Sequence, residues 1–155
     1  LAQQTRQSGR PPKPDIARGG SAVGTLVGGC LETLASMAAT TTKSWLPSTD
    51  QAIVLLESSA EHFESTHFQR CMGELEEVDF FGGCRAIVFG VKPWREPARG
   101  EILSALLRNC NGPVVFGLSA GHITPMDTVP LGLSARLTAS KSDSAFEMTV
   151  IDDRR

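Results

Sequence analysis

Residues 52–57 have the sequence Ala52-Ile-Val-Leu-Leu-Glu57, in which five apolar side chains lead directly into a carboxylate. A continuous apolar run of this length is typical of a buried strand. Glu57 should therefore project from the C-terminal end of that strand. Because burying an unpaired carboxylate is costly, Glu57 is either a functional group with a partner or a solvated residue whose charge favours the start of the next helix.

Short apolar strands and amphipathic helices alternate on both sides of this stretch. We predict strands over residues 24–27, 52–56, 84–91 and 113–116, helices over 30–38, 59–75 and 101–110, and a final hairpin of strands over 129–137 and 145–151. Strands that alternate with helices and end in an antiparallel pair indicate an α/β fold, with a mixed sheet and flanking helices. In the polar loop 40–50 we expect Trp45 and Leu46 to fold back onto the core.

Residues 1–18 differ in composition from the rest of the chain. Pro11, Pro12 and Pro14 oppose a helix and cannot supply strand hydrogen-bond donors. We therefore expect a flexible linker or N-terminal extension over 1–18 and one folded domain over 19–155. A nucleic-acid-binding arm is the alternative, although its four basic residues have no aromatic neighbours.

Composition excludes several classes of function. Of 155 residues, 41% are hydrophobic and 21% charged, with a formal net charge of −2, as in ordinary globular domains. No basic surplus favours nucleic acid as a partner. The longest apolar run is about six residues, far below the roughly 20 that a membrane helix needs. The chain begins with Leu1 and has no signal-peptide pattern, so we expect a fragment that is not bound to a membrane.

Four cysteines stand at positions 30, 71, 84 and 110, without a C-x-x-C pair. A zinc site needs clustered ligands at short spacing, so we expect no metal. Cysteines in apolar or helical surroundings pack as small hydrophobic side chains. Reduced thiols favour a reducing compartment, and we expect the cytoplasm.

His122 is the second candidate for chemistry, in a loop that follows the predicted strand 113–116. Catalytic groups often lie on such loops, although a hydrogen-bonded loop histidine is the simpler alternative. The letters Gly117-Leu-Ser119-Ala-Gly121 match a G-x-S-x-G elbow. That elbow must continue into a helix and have its histidine far downstream, so we do not expect Ser119 to be a nucleophile or to point at His122.

Two weaker signals complete the set of candidates. Gly28 and Gly29 stand where a strand meets a helix, and free backbone N–H groups there could bind an anion of the substrate. A tight turn is the alternative explanation. His62 and His67 are five residues apart, on different faces of a helix. They do not form the pair of histidines on one helix face that binds zinc in the H-E-x-x-H motif, and we expect both to be structural.

Three ordered stretches together resemble signatures of the L,D-carboxypeptidase (muramoyltetrapeptide carboxypeptidase) family of serine peptidases. They are Thr25-Leu-Val-Gly28-Gly29-Cys-Leu-Glu-Thr-Leu34, Ala52-Ile-Val-Leu-Leu-Glu57 and Gly117-Leu-Ser-Ala-Gly-His122. Pro130-Leu-Gly-Leu133 is also similar to the family's strand after the histidine. Ser58 departs from the acidic residue that is usual there.

The resemblance implies a swivelling β/β/α-like C-terminal domain over 19–155, without the serine-bearing N-terminal domain. In this family two domains share one active site, and the C-terminal domain supplies the glutamate and the histidine. These fall on Glu57 and His122, which we expect on neighbouring strand ends within hydrogen-bond reach.

The implied reaction is hydrolysis of the amide before a terminal D-amino acid of a cell-wall peptide or muropeptide. It needs no metal or cofactor, and this chain alone would be inactive because its nucleophile is missing. One alternative is an immunity peptidase of the same family that cleaves nucleotidyl-peptide antibiotics. The other is a non-catalytic binding or assembly module. The partner would be the missing N-terminal domain, and a homodimer remains open.

Overall fold

The computed structural model describes residues 14–58, 65–90, 98–124 and 126–151, which contain seven strands and three α-helices. The strands are β1 (Asp15–Arg18), β2 (Gly20–Cys30), β3 (Ile53–Glu57), β4 (Ala86–Gly90), β5 (Val114–Leu118), β6 (Ser134–Ser140) and β7 (Ala145–Val150). The helices are α1 (Leu31–Ala38), α2 (Ser65–Glu77) and α3 (Ala98–Asn109), with a short 3₁₀ helix over Thr41–Trp45. None of the helices in these ranges is long and apolar enough to cross a bilayer.

All seven strands join in one mixed sheet, in the order β1-β5-β4-β3-β2-β6-β7. The four central strands, β2 to β5, are parallel, while β1, β6 and β7 pair antiparallel. A helix follows each of β2, β3 and β4 in the chain. The C-terminal ends of the parallel strands therefore lie along one edge of the sheet. The α/β fold with a mixed sheet and flanking helices is confirmed.

Both faces of β3 and β4 are buried, which explains their continuous apolar sequences. On one face Val54 and Leu56 of β3 pack with all three helices. On the other face Ile53 and Leu55 pack with the inward side chains of β6. The hairpin of β6 and β7 therefore forms a second β-layer over the central sheet, opposite the helices.

Strand β2 connects the two β-layers. Its first half, from Gly20 to Thr25, pairs with β6, and its second half, from Leu26 to Cys30, pairs with β3. In the second half Gly28 approaches β3 closely, since a Cβ at this position would lie 1.9 Å from the carbonyl oxygen of Leu55. Glycine is required there by space as well as by its φ of +128°.

The predicted flexible linker over residues 1–18 is wrong for its last four residues, which form strand β1. Asp15–Arg18, expected to be part of a flexible segment, pair antiparallel with β5. Ile16 is buried, and the Arg18 guanidinium donates to the Leu107 carbonyl oxygen at 3.3 Å and to that of Cys110 at the end of α3. Asp15 forms an ion pair with Arg99 of the same helix. Residues 1–13 lie outside the described residues.

Other boundaries also differ from the predictions. Trp45 does not fold back onto the core and is 75% exposed, whereas Leu46 does pack against the helix-side core. The predicted strand 129–137 begins only at Ser134, because Leu131 and Gly132 form a turn whose Gly132 N–H donates to Leu26 O at 2.7 Å. The predicted start of the second helix, in residues 59–64, lies outside the described residues.

The four thiols differ in their surroundings. Cys71 and Cys110 are buried, and Cys30 and Cys84 are half-buried. The Cys84 thiol donates to the Asn109 carbonyl oxygen at 3.6 Å, and the Cys110 thiol donates to the Cys84 carbonyl oxygen at 3.9 Å. The interaction between the two side chains lowers the pKa of Cys110 to about 7 and raises the pKa of Cys84 well above its usual range. Burial raises the pKa of Cys71. The sulfur of Cys110 also accepts from the Gly112 N–H at 3.3 Å.

Gly28→Ala and Gly29→Ala form a matched pair that measures the contact between β2 and β3. Both residues have positive φ, but a Cβ at Gly29 has no neighbour within 4 Å. We expect Gly29→Ala to cost about 1–3 kcal/mol of backbone strain and Gly28→Ala about 2 kcal/mol more, because its Cβ overlaps β3. Urea unfolding of both variants measures the difference. Equal losses would show that the close approach contributes nothing.

Candidate active site

Glu57 is the last residue of β3 and ends a strand that is otherwise buried. Its backbone lies beside Cys30, the last residue of β2, in parallel register. Only 12% of the Glu57 side chain is exposed. The carboxylate therefore lies at the C-terminal edge of the sheet with most of its surface against protein.

His122 reaches Glu57 from the loop after β5. Gly117 is an extra residue in β5, opposite the step from Phe89 to Gly90 in β4, and its φ of +98° turns the end of the strand. Backbone hydrogen bonds hold the loop, including Ala120 N–H to Leu118 O at 2.7 Å and Asp127 N–H to Ser119 O at 2.6 Å. The loop is thus a fixed support for the imidazole.

The two side chains meet at 2.8 Å, measured from His122 Nδ1 to Glu57 Oε2. An ionised carboxylate only accepts hydrogen bonds, so Nδ1 carries the proton and donates it. In the neutral ring Nε2 then keeps its lone pair. Since the His122 side chain is 58% exposed, this arrangement offers a proton acceptor on the outward side of the ring.

The expected hydrogen-bond distance is confirmed, but the two residues do not lie on neighbouring strand ends. Strand β4 stands between β3 and β5, and the loop crosses over its end at Gly90. A Cβ at Gly90 would lie 2.4 Å from Ala120 O and 3.1 Å from the Glu57 Cβ. At Gly121, a Cβ would lie 2.6 Å from both the Cβ and Oε2 of Glu57. The loop that carries His122 can therefore cross the end of β4 because Gly90 and Gly121 have no side chains.

A second carboxylate, Glu32 in the first turn of α1, lies at the same edge of the sheet. It accepts hydrogen bonds from the Ser58 hydroxyl at Oε1 and from the Cys30 thiol at Oε2, the latter at 3.1 Å. His67 Nε2 of α2 lies 3.7 Å from Oε1. Glu32 was not among the residues predicted from the sequence, and Ser58 was noted only as a departure from the family pattern. The available signal was an acidic residue two positions after the end of β2.

The other candidates from the sequence have different positions. Ser119 is buried, and within the described loop no hydrogen bond joins its hydroxyl to His122, as expected. Gly28 and Gly29 are strand residues of β2 and not a turn; their role in substrate binding stays a prediction. His67 belongs to the Glu32 cluster, and His62 lies outside the described residues. Within the described ranges, no three His, Cys, Asp or Glu side chains form a group that could hold a metal ion.

This chain is similar in fold and in sequence to known proteins. A family model described as LD-carboxypeptidase C-terminal domain matches residues 23–137. The putative carboxypeptidase YocD of Bacillus subtilis (strain 168) is 28% identical over 149 residues, covering 93% of this chain and 44% of its own. This chain therefore spans less than half the length of that curated relative.

Two solved structures extend the comparison. A muramoyltetrapeptide carboxypeptidase from Oxalobacter formigenes is 26% identical, with a TM-score of 0.71, over 90% of this chain and 49% of that one. An MccF-like protein from Streptococcus pneumoniae in complex with AMP is 26% identical, with a TM-score of 0.72, over 90% of this chain and 44% of that one.

Gly121→Ala tests whether free space beside Glu57 maintains the contact with His122. We expect the new Cβ to displace the carboxylate, so that the separation of Nδ1 and Oε2 exceeds about 3.5 Å and the hydrogen bond is lost. A crystal structure of the variant measures the distance. Gly132→Ala is the control, since Gly132 also has positive φ but nothing within 4 Å of a Cβ. An unchanged distance in Gly121→Ala would contradict the steric argument.

Proposed function

Since this chain belongs to the LD-carboxypeptidase C-terminal domain family, we propose that it supplies two members of a split Ser-His-Glu triad in a serine carboxypeptidase. The substrate would be a cell-wall peptide or muropeptide, and the bond broken would be the amide before its terminal D-amino acid. The observation that carries the proposal is the 2.8 Å contact between His122 Nδ1 and Glu57 Oε2. It produces the carboxylate-oriented imidazole that such a triad requires.

The proposed reaction uses the two faces of His122 differently. Nε2 takes the proton from a serine hydroxyl as the serine oxygen attacks the carbonyl carbon, and later returns it to the leaving amine of the D-amino acid. Water then hydrolyses the acyl-enzyme with Nε2 again as the base. Glu57 holds the ring through Nδ1 and stabilises the imidazolium that forms in each step. This role suits a carboxylate that is largely shielded from water.

We propose that the serine comes from a domain upstream of this chain. Nε2 belongs to an exposed ring, and the Ser119 hydroxyl makes no hydrogen bond to it within the described loop, so the outward side of His122 suits a nucleophile from elsewhere. Three large apolar side chains are exposed in the segment between His122 and β6, namely Met126, Leu131 and Leu133. Exposed apolar side chains of this kind favour contact with another protein surface.

A second candidate function is hydrolysis of a nucleotidyl-peptide antibiotic as an immunity activity. The observation in its favour is the likeness to the MccF-like protein whose structure holds AMP. In both proposals the triad acts in the same way and only the substrate differs. A non-catalytic binding module would keep the fold but show neither activity. We propose that the carboxypeptidase acts in the cytoplasm, because its four cysteines are free and free thiols suit a reducing compartment. The role in peptidoglycan recycling is proposed from the muropeptide substrate.

The activity test uses this chain joined to its upstream serine-bearing domain, with D-alanine release from a muropeptide measured in the presence of EDTA. We expect His122→Ala to lower kcat/KM by about 10⁴-fold and Glu57→Gln by somewhat less, in line with losses of other triad members. This chain alone should release no D-alanine, because it can activate a nucleophile but does not replace one.

Glu147→Gln is the matched control for the loss of a carboxylate, since Glu147 is exposed on β7. It should leave the rate unchanged. Full activity in His122→Ala, or activity that EDTA abolishes in the wild-type enzyme, would overturn the proposed mechanism. If the joined enzyme cleaves a peptidyl nucleotide and no muropeptide, the immunity activity is the function.

A further inference from the structure

We propose that Glu32 is a positioning residue for the active site, which acts by holding the end of β3 and, through it, the carboxylate of Glu57. The expected effect on kcat rests on the proposed function. The positioning of Glu57 itself can be measured without any activity. Glu32 does not contact the reacting atoms in this scheme. Its effect passes through Ser58, the residue that follows Glu57 in the chain.

The geometry places Glu32 across two strand ends. Its Oε2 accepts from the thiol of Cys30, the last residue of β2, at 3.1 Å, and its Oε1 accepts from the hydroxyl of Ser58. Cys30 lies opposite Glu57 in the parallel register, and the register ends with this pair. One carboxylate therefore joins the two adjacent strands where their backbone pairing stops.

Burial makes the contact with Ser58 significant. Ser58 is 5% exposed, and a buried hydroxyl that loses its partner costs free energy that a solvated one does not. The side chain of Glu32 is only 18% exposed, so water competes weakly for its oxygens. Because hydrogen bonds to a charged acceptor are stronger than neutral ones, this bond restrains the residue directly after Glu57.

The surroundings of Glu32 extend the restraint to α2. His67 Nε2 lies 3.7 Å from Oε1 of Glu32, and the Cys71 sulfur lies 3.7 Å from the same ring nitrogen. The carboxylate thus connects the start of α1, the ends of β2 and β3, and one side of α2. Removing it should loosen the end of β3 without unfolding the apolar core beneath.

Loosening the strand end should affect chemistry more than binding. Glu57 reaches His122 over a single hydrogen bond of 2.8 Å, and a displacement of about 1 Å in a catalytic group can cost about 10²-fold in rate. The residues that bind the substrate would not change. We therefore expect the effect in kcat, with KM little changed.

The test compares Glu32→Ala, Glu32→Gln and Ser58→Ala with Glu147→Ala as the control, in the chain joined to its serine-bearing domain. We expect Glu32→Ala and Ser58→Ala to lower kcat by about 10-fold to 100-fold, with KM within about twofold of wild type. Glu32→Gln keeps an oxygen that accepts from Ser58 and should restore most of kcat. Glu147→Ala should match the wild type.

A second measurement is independent of activity. The NMR signal of the His122 Nδ1 proton reports the hydrogen bond to Glu57 in this chain by itself. We expect Glu32→Ala and Ser58→Ala to shift or broaden this signal, and Glu32→Gln and Glu147→Ala to leave it near its wild-type position. If Glu32→Ala fails to fold by circular dichroism, Ser58→Ala, which removes a single hydroxyl, carries the test.

The outcomes separate the two proposals. A wild-type His122 signal in Glu32→Ala or Ser58→Ala overturns the positioning role, as does an unchanged kcat, or a loss of activity that lies mainly in KM. If the wild-type joined enzyme hydrolyses neither substrate, the proposed function fails. The His122 signal then still decides whether Glu32 positions Glu57.

Discussion

Burial of β3 and β4 from both faces is the constraint on which the rest of the structure depends. A strand covered by helices on one side and by a hairpin on the other has no polar face, so Ile53–Leu56 and Ala86–Phe89 are apolar throughout. Polar groups are then confined to the strand ends. Glu57 is the first charged side chain after such a run, which places it at the edge of the sheet where β2, β4 and β5 also end.

The contact between Glu57 and His122 depends on two glycines, Gly90 and Gly121, that lie between them. A histidine loop from β5 must cross β4 to reach β3, and the crossing has room only because residues 90 and 121 are glycines. The result is an asymmetric pair, with the carboxylate against protein and the imidazole largely in solvent. A shielded charge interacts more strongly with its neighbour than an exposed one, while the exposed ring stays accessible to a reacting group.

Much of the fold could be predicted from the sequence, because β3, β4 and β5 are short apolar runs and each helix has an apolar stripe. The features that could not be predicted depend on tertiary contacts. Strand β1 is only four residues long and follows a proline-rich segment, and its pairing depends on β5, about a hundred residues away along the chain. Trp45 lies in the solvent, and Pro130-Leu-Gly-Leu133 forms a turn in which the Gly132 N–H donates to the Leu26 carbonyl oxygen.

Of the candidate site, Glu57 and His122 could be predicted from the sequence, but Glu32 could not. Glu57 and His122 followed from strand ends and from family resemblance, since both lie in ordered motifs. Glu32 did not, because its partners are Cys30, two residues before it, and Ser58, which is distant in sequence. Neither spacing has a periodic signature. Hydrogen-bond networks of this kind become visible only when the strands are placed side by side.

The division of β2 between two partners has a consequence for synthesis on the ribosome. Its second half can pair with β3 as soon as Glu57 has been made, but its first half must wait for Ser134–Ser140, near the end of the described chain. Until then Ile53, Leu55 and Val88 face solvent on the hairpin side. Contacts of such long sequence separation form slowly, and exposed apolar strands favour aggregation. The nascent chain therefore passes through a stage in which a chaperone would have an apolar sheet surface to bind.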